Sequence, residues 1–475
     1  MTIRIGKKGI SDQQQHLLER CRRDSTPHNL LDAFMTLIND REIRDGEEAL
    51  HPSWFDVWEK RRARISQFGP DELVEQLTTF FNQARERDPE VTELDPQNQR
   101  ICFLLGAGAS KPEPSGIPTV KELLPDLLAR ARRLDREEVT RLAEFCESTG
   151  IDNIEDLLTA AQISEFCGRN PTIMRLIEFL LFREDHSDVG FRRSRRASVD
   201  VSSVAFLQDT LQVLFGLLSS RMLPAEPNEG HIAIANYARD RGDTRIVTTN
   251  YDCCMDLALS SLSVPYRYPL DFANSQHVPP SSDNPINLVK LHGSLNWFYC
   301  ETCQEVHWID IQKTVEDYND DRALYPVIGV CRTCGGQRRG LLVPPLAMKF
   351  DVAPALNPLI EESASSFGDV DLIVVVGFSF ADADLYISRM VSKAMQANPN
   401  TKMLIFDPMI GVVQKVREKF SVRIPDFDSS SRILSVCGDC SKTLPRFLSG
   451  AYRQSEMTGS NGDAAAEYAS VETGA

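Results

Sequence analysis

The sequence predicts a doubly wound α/β fold, and three observations predict it. Six short, continuous, β-branched runs are spread along the 475 residues: "ICFLL" (101–105), "RIVTT" (245–249), "NLVKL" (287–291), "DLIVVVGF" (371–378), "KMLIF" (402–406) and "RILSV" (432–436). Apolar runs without polar alternation suit strands buried on both faces of a parallel sheet. Helical patterns separate most of the runs, the order that builds a sheet covered on both sides. Finally, the residues just past each run are rich in Gly, Ser, Asn, Asp and His, and the carboxyl ends of parallel strands are where such sheets bind ligands.

The elements follow in order. Residues 1–98 read as a helical region. In "GPDELVEQLTTFFNQARER", Pro70 and two acids occupy a first turn, and Val74, Leu77 and Phe81 share one face. The α/β domain is expected over 99–450, interrupted by a helical insertion at 122–235 whose clearest segment is "VAFLQDTLQVLFGLL", with Val204, Leu207, Leu211, Leu214 and Leu218 at helical spacing. Within the insertion, "FRRSRRAS" (191–198) is a basic stretch that reads as a solvated loop. A small cysteine-bearing module is expected at 297–341, and the polar tail at 451–475 is expected to be disordered.

Composition excludes some functions. With 42% hydrophobic and 25% charged residues and no apolar run near the roughly 18 residues of a membrane span, the chain reads as a soluble globular protein. Its first residues, "MTIRIGKKGISDQQQ", lack the apolar segment of a signal peptide, so a cytoplasmic location is expected. A net charge of −16 argues against a broad nucleic-acid surface, because such binding draws on many basic residues releasing counterions. Twelve cysteines without an export signal suggest metal ligands, buried thiols or catalysis before disulfides.

The strand ends carry the candidate chemistry. After 101–105 comes "GAGASKPEPSGIPTVKEL", in which Gly106, Gly108 and Ser110 can offer backbone N–H groups and a hydroxyl to a phosphate. The same stretch reads equally as a tight strand-to-helix turn. It is neither a Walker A loop, since no glycine precedes Lys111, nor a G-x-G-x-x-G fingerprint. Asp407 ends the 402–406 run, where an acid can hold ribose hydroxyls or serve as a turn residue. Cys300-x-x-Cys303 and Cys331-x-x-Cys334 have the spacing of four thiolates around a tetrahedral, structural zinc. Two redox or buried pairs are the alternative, and His307 is a possible substitute ligand.

Taken in order, these motifs resemble the sirtuin family over residues 100 to about 445. "GAGAS" and "SGIPTVKEL" look like its glycine-rich and flexible cofactor loops, "TTNYD" like its Thr-Gln-Asn-x-Asp segment, and "LHGS" like the His-Gly motif that precedes its zinc module. "GFS" looks like Gly-Thr-Ser, and "VCGDC" like the adenine-side Gly-Asp. The resemblance implies a Rossmann-like NAD domain. Gly106, Ala107, Gly108, Ser110, Thr249, Gly377, Ser379, Asp407 and Asp439 would hold the dinucleotide, and Asn250, His292 and Asp252 would act at the nicotinamide ribose.

Two departures point away from protein deacylation. Thr248 stands where the family has Gln, and "GIPTVK" replaces Gly-Ile-Pro-Asp-Phe-Arg. In addition Pro344 and Pro345, which lack ladder donors, fall where the family pairs a peptide substrate. These features look like the sirtuin-like domains of bacterial antiphage systems. The expectation is therefore an NAD hydrolase that releases nicotinamide and ADP-ribose, depletes NAD when triggered and so aborts infection. It would work as a homo-oligomer, with an ATPase, a nucleic-acid motor or another defence protein as a possible partner. The alternatives are a deacylase or ADP-ribosyltransferase, and a non-catalytic sensor of NAD or ADP-ribose.

Overall fold

A computed structural model describes residues 87–132, most of 142–157, 215–273, 285–310, most of 331–343, 356–424 and 427–452, a few single positions excepted. The predicted helix at 69–87 (but for Arg87), the basic stretch 191–198, positions 204–214 of the insertion helix, Pro344 and Pro345, and the tail lie outside the described residues.

All six predicted strands form: β1 (Ile101–Leu105), β2 (Arg245–Thr248), β4 (Ile286–Lys290), β8 (Leu372–Val376), β9 (Lys402–Phe406) and β10 (Ile433–Val436), with a two-residue β3 (Tyr266–Arg267). Hydrogen bonding orders them β10-β9-β8-β1-β2-β4-β3. Every residue of β1, β8 and β10 is buried, which is why their sequences do not alternate. The helices are α1 (Val120–Arg132), α2 (Glu229–Asp240), α3 (Cys254–Ser261), α4 (Asn357–Phe367), α5 (Leu385–Ala397), α6 (Ile410–Arg423), the short α7 (Ser429–Arg432) and α8 (Cys440–Leu448). Among the described residues, no helix is long and apolar enough to cross a membrane. The chain divides into two compact units, one made of 103–368 with 380–391, the other of 1–102, 369–379 and 392–475.

In the first of these units β2 and β4 run parallel, with Thr248 opposite Lys290. Past that pair the Leu291 N–H still donates to the Thr248 carbonyl (2.9 Å), and on the other side the Thr249 N–H donates to the Leu105 carbonyl (3.0 Å). The carboxyl ends of β1, β2 and β4 are thereby held side by side. The lysine inside "NLVKL" is fully buried: Lys290 Nζ donates to Asp256 Oδ2 (2.9 Å) and to the Asp252 carbonyl (2.6 Å), and Asp256 also accepts from the Tyr268 hydroxyl. Removing one member of such a pair typically costs about 3–5 kcal/mol, because the other charge is left buried alone.

A second, antiparallel sheet, order β6-β5-β7, starts one residue after His292. Its strands are β5 (Gly293–Cys300), β6 (Val306–Trp308) and β7 (Arg338–Leu342), with Trp297 opposite Trp308 and Phe298 opposite both His307 and Gly340. Gly293 is the reason for the His-Gly pair. Its φ is +83°, and a Cβ there would lie 2.1 Å from the Leu341 carbonyl oxygen, so only glycine lets β5 and β7 approach. Helical residues 215–222, the end of the insertion segment, place Phe215, Leu217 and Leu218 in a core shared with Leu123, Leu127, Leu295 and Phe298.

In the other unit β8, β9 and β10 pair in parallel, with Val376 opposite Phe406 and Phe406 opposite Val436. Residues 87 and 88 add to this edge. Arg87 forms an antiparallel bridge with Val436, and the Asp88 carboxylate, 1% exposed, accepts from the Ser435 N–H (2.7 Å), the Ser435 hydroxyl (3.0 Å) and Arg417 (2.9 Å).

Candidate active site

After β1 the chain turns into a short 3-10 helix, Ala107–Ser110, with Gly106 extended at its start. Ser110 is fully buried at the end of this turn, and two further residues converge on its hydroxyl: His231 Nε2 at 3.3 Å and Asn250 Nδ2 at 3.2 Å. Backbone groups settle who donates. His231 sits in the capping box of α2, where its Nδ1 accepts the Asn228 N–H (3.3 Å), so the ring proton is on Nε2 and is given to Ser110. Asn250 also bonds to the Gly106 carbonyl (3.0 Å), an acceptor only, so its NH2 group faces inward. Both amide hydrogens of Asn250 are spent on Gly106 and Ser110, and Oδ1 is left as the polar atom with which this half-buried side chain can hold a ligand.

Burial lowers the pKa of His231, against the opposing pull of Asp252. An imidazole that stays neutral when folded but protonates when unfolded makes the unfolded chain bind more protons below its ordinary pKa of 6.5, so stability falls as pH drops below that value. His231→Gln, which retains the capping box, is expected to flatten this acid limb. Urea unfolding at several pH values between 5 and 7 measures it, and an unchanged slope would remove His231 as its source.

The register that sets Thr248 opposite Lys290 puts Asn250 and His292 each two residues past the ends of two adjacent strands. His292 is 3% exposed. Its Nε2 lies 3.2 Å from Asp384 Oδ1 and 3.1 Å from the Tyr386 hydroxyl, and its ring is 6.1 Å from that of Tyr251. Burial, with Asp384 adding to it, pushes the Tyr386 phenol well above its ordinary range, so it keeps its proton. Sequence reasoning named neither Asp384 nor Tyr386. The signal was the strand ending "SFADAD", whose final acid is Asp384. His231 was missed too, inside the unremarkable helix start "PNEGH".

The remaining expected residues are placed less centrally. Asp252 is buried, and its Oδ1 accepts the Cys254 N–H (3.0 Å) at the start of α3. Thr249 pairs with Leu105 through both its N–H and its hydroxyl. In the other unit, Gly377 has φ +59° and donates its N–H to the Phe406 carbonyl (3.0 Å), and Ser379 is exposed. Asp407 accepts from the Met409 N–H (2.8 Å), with its pKa raised by burial, and Asp439 caps α8 through Ser441 (2.9 Å). Each of these two acids thus holds its own turn.

Cys300, Cys303, Cys331 and Cys334 come together with all four sulfurs within 4.8 Å of one another. Two of the separations, 3.4 Å for Cys300–Cys334 and 3.6 Å for Cys303–Cys331, are close to the edge of a tetrahedron whose centre lies about 2.3 Å from each sulfur. The donor set therefore fits a single tetrahedral ion. Burial acts to raise the Cys331 thiol, but the N–H groups of Cys334 and Thr333, with Cys303 and His307, outweigh it and bring the pKa down to about 6. His307 Nε2 is 3.6 Å from Cys331 Sγ, beside the cluster and not needed to complete it.

The fold and this site define a parallel α/β domain with polar residues gathered at its strand ends and a small cysteine-bearing sheet inserted after one of them. Residues 244–423 match the family model described as a SIR2-like domain. Among solved structures, the chain is similar to one described as bearing on the mechanism and regulation of Sir2 enzymes (19% identity, 77% of this chain and 97% of that chain, TM-score 0.36). It is also similar to a mutant Sir2 homologue in complex with ADP-ribose (15% identity, 78% and 98%, TM-score 0.38) and to a Sir2 protein bound to a propionylated peptide (13% identity, 75% and 96%, TM-score 0.34). A search of curated proteins finds no match.

Proposed function

We propose that the protein is an NAD hydrolase that breaks the bond between nicotinamide and ribose to give ADP-ribose and nicotinamide. The observation that carries this reading is the side-by-side placement of the glycine turn after β1, Asn250 after β2 and His292 after β4. Nicotinamide leaves NAD as a neutral molecule, so the site needs little acid; it needs to stabilise positive charge on the ribose and to aim a nucleophile. An Asn250 that offers an oxygen suits both tasks, since it can accept a hydrogen from water or from a ribose hydroxyl. His292 can take the proton the nucleophile loses. The turn at 106–110 would meet the phosphates, and Gly377, Ser379, Asp407 and Asp439 would serve the rest of the dinucleotide. Asp252 would act through its charge and by fixing the start of α3. Zinc held by the four cysteines would be structural, because four thiolates leave it no open position.

Water is preferred over an acyl-peptide as acceptor because the backbone N–H and C=O of Val343, just past β7, are both already engaged within the protein. Its N–H donates to the His292 carbonyl (2.8 Å), and its C=O accepts from the Tyr251 hydroxyl (3.1 Å). By resemblance we extend the reading to a cytoplasmic, oligomeric defence effector that is switched on by a trigger or a partner protein. Purified protein with NAD alone should release nicotinamide once activated; release only on addition of an acyl-peptide would favour a deacylase, and binding without release would favour a sensor. Gly108→Val, which sets a branched side chain where a phosphate would approach, is expected to weaken NAD binding at least tenfold while leaving the melting temperature unchanged. Calorimetric titration checks this, and undiminished affinity would show that the turn does not hold phosphate.

A further inference from the structure

We propose that Asp384 is the positioning residue of His292, fixing the ring's proton on Nε2 and so making Nδ1 the basic atom of the site. This rests on the hydrolase reading for its chemistry but not for its geometry. Asp384 and His292 come from distant parts of the sequence, "SFADAD" and "LHGS", yet their side chains are 6% and 4% exposed and 3.2 Å apart. A buried carboxylate accepts and does not donate, so a stable contact with Nε2 requires that Nε2 carry the hydrogen. Tyr386, 3.1 Å from the same nitrogen, keeps its phenolic proton and closes the other side. A neutral imidazole has one donor and one acceptor nitrogen, so with Nε2 committed, Nδ1 holds the lone pair. Among the described contacts, Asp384 and Tyr386 from the segment that begins α5 and Tyr251 from the turn after β2 face the ring.

In the reaction the water oxygen bonds to the ribose carbon as the carbon–nitrogen bond to nicotinamide breaks. That electron pair stays on the pyridine nitrogen and cancels its positive charge. The proton lost by the water goes to Nδ1, and the imidazolium that results is stabilised by Asp384. A carboxylate that only orients and stabilises a histidine in this way can be worth several orders of magnitude in turnover, as replacement by its amide reverses the preferred tautomer.

The test is Asp384→Asn, with Asp384→Glu beside it, each assayed for nicotinamide release, for NAD affinity by calorimetry, and for the His292 tautomer by 15N NMR of ring-labelled protein. The expected result is that Asp384→Asn lowers kcat at least a hundredfold with Kd for NAD changed less than threefold, that the wild-type His292 spectrum shows the Nε2–H tautomer and the variant does not, and that Asp384→Glu recovers part of the rate. A variant with kcat within threefold of wild type, or one whose His292 tautomer is unchanged, overturns the proposal. If wild-type protein releases no nicotinamide, the hydrolase reading falls, and the tautomer comparison still decides whether Asp384 sets the histidine. If Asp384→Asn fails to fold, the tautomer in the wild type and in Tyr386→Phe decides: an Nδ1–H signal in either overturns the assignment.

Discussion

His292→Ala and Asn250→Ala are each expected to lower nicotinamide release at least a hundredfold while NAD remains bound. Loss of a proton-accepting or positioning group commonly costs a factor of about 10² to 10⁴. Neither side chain is needed to make the turn at 106–110, whose own bonds, Ala109 N–H to Gly106 O (2.9 Å) and Ile117 N–H to Ser110 O (2.9 Å), are backbone to backbone. Asn250→Ala has one added consequence: it leaves the Gly106 carbonyl and the Ser110 hydroxyl without the amide that joins them. Its binding should therefore weaken slightly more than that of His292→Ala. Stopped assays of nicotinamide alongside calorimetry separate the two quantities, and variants that turn over like wild type would remove both residues from the chemistry.

Cys331→Ser is expected to give the largest effect on stability. Structural zinc contributes on the order of 10–16 kcal/mol in small metal-organised modules, and a hydroxyl is a far poorer ligand than a thiolate. Cys331 is 2% exposed, its sulfur is 3.6 Å from Cys303 and its N–H bonds to the Gly336 carbonyl (2.7 Å), so the loss would reach the backbone of the loop as well as the ion. Metal analysis should find one zinc per chain in the wild type and none in the variant, whose cysteine-bearing sheet should become susceptible to protease. A wild type that folds normally without metal would end this reading.

Where the sequence was legible, physics made it so. Strands such as "ICFLL" and "LIVVV" are buried on both faces and must be apolar throughout, so their boundaries appear in the residue order itself. The cysteine pairs were equally plain, because four ligands to one ion impose a spacing. Asp384 and His231 were hidden for a different reason. Each reaches a residue more than ninety positions or more than a hundred positions away, His292 and Ser110 respectively, and such a contact leaves no periodic trace. Asp252 carries two signals at once. Its position in "TTNYD" suggests chemistry, and its side chain also bonds to the start of the next helix, a local bond that the sequence does not separate from a role in the site.

The bond between Asp88 and the edge strand has a mechanical meaning. One carboxylate oxygen joins residue 88 to the N–H and hydroxyl of Ser435 and to Arg417, while Arg87 lies against the Tyr452 ring (4.6 Å). Force applied to the chain ahead of residue 87 is therefore delivered to β10 at Ser435, two residues before "CGDC". Cutting the protein at the apparent start of β1 would remove this tether, leave Arg417 with the Ile433 carbonyl but without the Asp88 carboxylate, and expose a strand edge, so an isolated α/β portion needs to begin upstream of Arg87.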